Sequence, residues 1–83
     1  MNIFVGRLNH SITPLHLELL FGHFGEVERV NLIKDRETGE FRKFGFVQMK
    51  DAHDAQIAIS KLDGARLEGA SILVKPANER ARA

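Results

Sequence analysis

The sequence predicts an α+β sandwich: one four-stranded antiparallel sheet with two helices on a single face. Three observations predict it. Four short runs are rich in β-branched and aromatic residues and alternate with a period of two. Two segments between them carry apolar residues at helical spacing behind a capping residue. The order is β-α-β-β-α-β, and the chain's 83 residues suffice for one domain around one small core.

Asn2 to Gly6 is the first strand, with Ile3 and Val5 pointing one way and Asn2, Phe4 and Gly6 the other. Arg7 to Ile12 is a loop. Thr13 is an N-cap and Pro14 the first helical residue, where a missing N–H costs nothing. Leu17, Leu20, Phe21 and Phe24 fall at i, i+3, i+4 and i+7, so this helix is expected to run to about Phe24 and stop at Gly25. Gly22 inside it costs about 1 kcal/mol relative to Ala. Glu26 to Lys34 is the second strand, Val30 and Leu32 on one face, Arg29, Asn31 and Ile33 on the other. The polar run Asp35 to Glu40 contains Gly39 and makes a hairpin loop longer than two residues.

Arg42 to Met49 is too aromatic and β-branched for a loop and too short for a helix, so it is the third strand. Arg42, Phe44, Phe46 and Gln48 share one face; Lys43, Gly45, Val47 and Met49 share the other. Asp51 caps a second helix, and Asp54 adds negative charge where the helix dipole favours it. Ala55, Ala58, Ile59 and Leu62 form its stripe, and Gly64 ends it. Ser71 to Lys75 is the fourth strand, closed by Pro76. The domain is expected over residues 1–76, with residues 77–83 a short basic tail containing Arg80 and Arg82.

Two crossover helices must bury their stripes on one side of the sheet, which is the ferredoxin-like split βαβ pattern. Parity then assigns the faces. Ile3, Val5, Val30, Leu32, Gly45, Val47, Met49, Ile72 and Val74 form the dry face. The opposite face holds Phe4, Phe44, Phe46, Ile33 and Leu73, rimmed by Asn2, Arg29, Asn31, Arg42, Gln48 and Lys75. Reversing the faces would bury Arg42, Gln48 and Lys75 without partners. No third helix exists to cover the second face, so three aromatic rings are left for something else.

Composition narrows the function. There is no cysteine, hence no disulfide framework and no thiolate metal site. No apolar run approaches the ~20 residues of a membrane span, and nothing at the start marks secretion, so the cytoplasm is the expected compartment. His16 and His23 stand two helical turns apart, and His10 and His53 belong to no metal-ligand motif. Ser11 and Ser60 lack an activating partner at a fixed spacing. The expectation is a binding protein without a cofactor, not an enzyme. Net charge is only +1, but its distribution is uneven. Arg7, Arg29, Arg42 and Lys75 belong to the open face and its edges, whereas Glu18, Asp51, Asp54 and Asp63 are expected on the helical side.

Flat rings inside a basic, amide-bearing rim suit single-stranded nucleic acid, whose bases stack at about 1–3 kcal/mol each while cations hold phosphates. Here the sequence resembles the RNA-recognition-motif family. That family's octamer, K/R-G-F/Y-G/A-F-V-x-F/Y, reads Arg42-Lys43-Phe44-Gly45-Phe46-Val47-Gln48-Met49. Its companion hexamer reads Ile3-Phe4-Val5-Gly6-Arg7-Leu8. Both lie on the expected strands, and the resemblance covers residues 2–76. The arrangement looks like that of small one-domain bacterial RNA-binding proteins.

The resemblance implies a strand order of 4-1-3-2 and roles for particular residues. Phe4 and Phe46 would each stack a base, Phe44 would pack on the sugars between them, and Arg42 would pair with the linking phosphate. Asn31, Gln48, Lys75, Ala77 and Asn78 are where the family reads base edges, the last two through backbone. Single-stranded RNA is the implied partner, single-stranded DNA a second one, and a protein-interaction module on the same fold the rival reading. Three positions depart from the pattern. Lys43 stands in place of glycine, adding charge and removing backbone freedom. Arg7 replaces asparagine, and Met49 replaces an aromatic residue on the dry face. One feature lies outside the resemblance: Leu15 and Leu19 on the first helix and Ile57 on the second lie away from the core stripes, a small apolar patch suited to self-association or a protein partner.

Overall fold

The computed structural model describes residues 1–77 of the chain. Strand β1 is Asn2–Gly6, helix α1 Pro14–Gly22, β2 Val27–Lys34, β3 Phe41–Met49 and α2 Ala52–Leu62. A two-residue pair, β4 Arg66–Leu67 and β5 Ala70–Ser71, precedes β6 Leu73–Pro76. The main sheet is antiparallel in the order β2-β3-β1-β6, which is the expected 4-1-3-2 arrangement.

The helix starts follow from side-chain chemistry. Thr13 Oγ1 accepts the His16 N–H while His16 Nδ1 accepts the Thr13 N–H at 3.0 Å. Histidine thus performs the back-bonding that glutamate usually performs in a capping box. Asp51 accepts the N–H groups of His53 and Asp54 at the start of α2. Helix α1 is shorter than its apolar stripe. It ends at Gly22 with His23 as C-cap, not at Phe24 and Gly25, because the chain tightens into a final turn in which the Phe24 N–H bonds the Phe21 carbonyl. Phe24 still packs on the core.

The core is the layer between the helices and one sheet face. Ile3, Val5, Val47, Met49, Ile72 and Val74 from the sheet side meet Leu17 and Phe21 of α1 and Ala55, Ala58 and Leu62 of α2, all buried. Burying each large aliphatic side chain contributes about 1.5–3 kcal/mol. Leu8 and Ile12, assigned above to a loop alone, are buried as well and pin the β1–α1 connection to the core. Phe4, Phe44 and Phe46 lie outside this cluster.

Two details are not visible in alternation. The fourth strand of the main sheet is Leu73–Pro76, not Ser71 to Lys75, because Ser71 pairs with Arg66 in the small β4–β5 hairpin. Its turn residues Glu68 and Gly69 both have positive φ, 51° and 84°, as a tight two-residue hairpin turn requires. Asn9 Nδ2 donates to the Glu68 carbonyl and holds this turn against the β1–α1 loop.

The second detail is a register shift in β2. Val27 lies opposite Met49, yet Arg29 rather than Glu28 lies opposite Gln48, and Val30 opposite Val47. Val27 and Val30, three residues apart, therefore both pack on the core, as an extra residue in one strand permits.

Gly45 in β3 is buried against β2, where an added Cβ would lie 2.6 Å from the Asn31 carbonyl oxygen. The obstacle is backbone, so the neighbouring strand must shift. Gly45→Ala is expected to destabilise the domain by about 1–3 kcal/mol, read as a lower urea midpoint; an unchanged midpoint would show that β2 yields freely.

Candidate nucleic-acid interface

The open face is built from register. In β1–β3 pairing, Phe4 lies opposite Phe46, and Asn2 opposite Gln48. Phe4 also lies opposite Lys75 of β6, and Asn31 of β2 opposite Phe46. Three rings therefore converge. Centroid separations are 5.7 Å for Phe4–Phe44, 5.9 Å for Phe4–Phe46 and 6.3 Å for Phe44–Phe46. The last two pairs meet edge to face, the arrangement that ring quadrupoles favour. Mutual contact leaves each ring half-buried. Gly6 shapes the site by omission: a Cβ there would come within 2.9 Å of two Phe4 ring carbons, so glycine lets the ring lean along its own strand.

The two ends of this face differ. At one end Asn2, Arg29, Asn31 and Gln48 surround the edge of Phe46 and line a cavity of about 90 Å³. Among the described residues, these four side chains make no hydrogen bond or ion pair. Asn2 and Arg29 stood on the expected rim without an assigned role; strand pairing sets both opposite Gln48. At the other end Arg42 and Lys43 line a groove of about 490 Å³ with His10, Asp35, Glu40 and Phe41.

Two of the expected cations are already engaged. Arg42 Nη1 lies 3.3 Å from Asp35 Oδ2. Asp35 Oδ1 accepts the N–H groups of Glu37 and Thr38, which hold its carboxyl below the ordinary range, with Arg42 contributing less. Lys75 Nζ lies 2.8 Å from Asp63 Oδ2. The Lys75 ammonium, then the Val74 N–H bonded to Oδ1, lower the Asp63 pKa, and Arg7 adds a smaller effect. Asp63 therefore does not belong to the helical side as expected. As C-cap of α2 it reaches β6 and compensates the sheet-edge cation. Both pairs are exposed, so each contributes little to stability.

Two basic residues carry unusual backbones. Arg7 has φ 58° and Lys43 φ 65°, a left-handed conformation that costs an L-residue roughly 1–2 kcal/mol. The Leu8 N–H donates to the Lys43 carbonyl at 2.9 Å, so the two strained positions brace each other across β1 and β3. Lys43 also marks an irregular stretch of pairing, since Leu32 lies opposite Gly45 but Lys34 opposite Phe41. Ala77, expected to read a base through backbone, has its N–H bonded to the Asn2 carbonyl at 2.9 Å, leaving only its carbonyl available. Asn78 lies outside the described residues, as do Arg80 and Arg82. No group of three or more potential metal ligands gathers among the described residues.

The model of the RNA recognition motif matches residues 3–73. The chain belongs to the RNA recognition motif family. It is 45% identical over 80 residues to the Arabidopsis thaliana chloroplastic RNA-binding protein CP31B, covering 96% of this chain but 28% of that protein. It is 44% identical to the putative RNA-binding protein RbpE of Nostoc, covering 96% of this chain and 81% of the relative. Among solved structures, the crystal structure of RNA Binding Protein PG1 superposes with a TM-score of 0.91 at 44% identity, covering 96% of each chain. The chain spans less than half the length of CP31B and of a mitochondrial glycine-rich relative, but four-fifths of RbpE.

Family membership gives the left-handed Lys43 a physical meaning. The octamer pattern places glycine there, and the backbone has kept the conformation glycine adopts without strain. Lys43→Gly is expected to raise stability by up to about 1 kcal/mol, the relieved strain being partly offset by glycine's entropy in the unfolded chain. Urea unfolding checks this; a lower midpoint would mean that the lysine side chain contributes more than its backbone costs.

Proposed function

We propose that the chain binds single-stranded RNA on the open sheet face, without catalysis. Phe4 and Phe46 each stack one base, Phe44 packs on the sugar between them, and Arg42 takes the linking phosphate. The observation that carries this reading is the triad of touching rings on a face that neither helix covers. The names of the relatives support RNA as the ligand. Arg42 uses a single guanidinium nitrogen on Asp35, so its remaining donors are free to grip phosphate while Asp35 holds it in place. Lys43 and Arg7 add charge at the same end. Lys75 contributes less field than its position implies, because Asp63 neutralises it. Single-stranded DNA is a weaker ligand of the same face, since stacking does not read the sugar but 2′-hydroxyl contacts do. The cyanobacterial relative supports action in a bacterial cytoplasm.

Phe46→Ala and Phe4→Ala are each expected to weaken binding of a random single-stranded RNA roughly tenfold, the equivalent of one lost stacking contact, with the fold intact by circular dichroism. Polarisation titration measures it, and unchanged affinity in a folded variant would remove the stacking mechanism.

The helical face supports a second, protein-directed contact. Leu15, Leu19 and Ile57 are the exposed large hydrophobic residues among those described, the first two about 60% accessible. We infer weak self-association there: light scattering at rising concentration is expected to show mass growth for the wild type that Leu19→Glu abolishes. Monomers at every concentration in both proteins would dismiss it.

A further inference from the structure

Arg29 sits at the end of the open face with Asn2, Asn31 and Gln48, polar side chains that make no hydrogen bond or ion pair among the described residues. It lies opposite Gln48 in the same regular pairing that sets Asn31 opposite Phe46. The extra residue lies beyond this run, between Val27 opposite Met49 and Arg29 opposite Gln48, and leaves Glu28 out of the pairing. Asn2 reaches the same spot as the β1 partner of Gln48, and Asn31 as the β2 partner of Phe46. Arg29 also borders a shallow groove with Glu18 and Glu28, yet pairs with neither.

We propose that this pocket selects guanine as the base stacked on Phe46, with Arg29 reading its O6 and N7. The inference rests on the RNA-binding reading and names the base for one of its positions. A cavity of about 90 Å³ takes the edge of a base, not a whole ring. Arg29 is donor-only, with two parallel N–H groups in a fixed fork. Asn2, Asn31 and Gln48 each supply amide donors, so donors outnumber acceptors. Guanine presents two adjacent acceptors, O6 and N7, and the bidentate arginine–guanine pair matches them. Adenine puts its N6 amino group against the fork. Uracil offers the fork no adjacent pair of acceptors, and cytosine offers O2 and N3 only beside its N4 amino group, which would meet the surrounding amide donors. In single-stranded RNA these edges are open to side chains.

Selection from a random RNA pool, run on the wild type and on Arg29→Gln, tests this. The wild type is expected to enrich one invariant guanine, favoured over adenine roughly tenfold, while Arg29→Gln loses that preference or turns to adenine. Replacing the selected guanine by 7-deazaguanine, which lacks N7, is expected to weaken wild-type binding severalfold and leave Arg29→Gln unaffected. RNA retained without a guanine preference, or a preference that survives in Arg29→Gln, overturns the pocket assignment alone. No RNA retained by the folded wild type overturns the RNA-binding reading and this one with it.

Discussion

Two helices cover one face of a four-stranded sheet, and most of the molecule's behaviour depends on that shortfall. The covered face takes its side chains from alternate positions of β1, β3 and β6, together with the stripes of α1 and α2. The alternate positions on the same strands have nowhere to go. Hydrophobic rings left at a sheet surface ordinarily invite aggregation. Here they are packed against one another at 5.7–6.3 Å, so each hides part of its neighbours. The result is an apolar surface of limited extent, bounded by amides and cations.

Electrostatics refine this surface without dominating it. The near-neutral total charge conceals local compensation. Asp63 engages the β6 lysine and Asp35 steadies the β3 arginine, and both carboxylates owe their low pKa to bonds with backbone N–H groups as well as to the cations. The two pairs act differently because their cations differ. A lysine ammonium is a point charge that one carboxylate cancels, whereas a guanidinium retains donors after making one bond. Lys75 on the β6 edge is therefore the more fully compensated cation, while Arg42 keeps donors at the hairpin end.

Backbone strain gathers at the same margins. Arg7, Lys43 and Glu68 are the non-glycine residues with positive φ among those described. Each is held by neighbours: Arg7 and Lys43 flank the bond from the Leu8 N–H to the Lys43 carbonyl, and the Glu68 carbonyl accepts from Asn9. Stability given up at Lys43 places a cation where the family pattern has no side chain.

The sequence alone determined the order of the main elements, both helix N-caps, the helical stripes and the division of the sheet into dry and open faces. Each of these depends on local chemistry or on side-chain parity, and both can be read one segment at a time. Phe4, Phe44 and Phe46 were legible for that reason. The early end of α1 at Gly22 and the small β4–β5 hairpin escaped because they are local choices between nearly equal backbone bonds. What only the tertiary structure decided is which neighbours meet across strands. The extra residue in β2 brings Val27 as well as Val30 onto the core, and the end of α2 brings Asp63 to Lys75. Alternation carries no record of register shifts, and spacing along a chain does not say which carboxylate will reach which cation once helix and sheet are packed together.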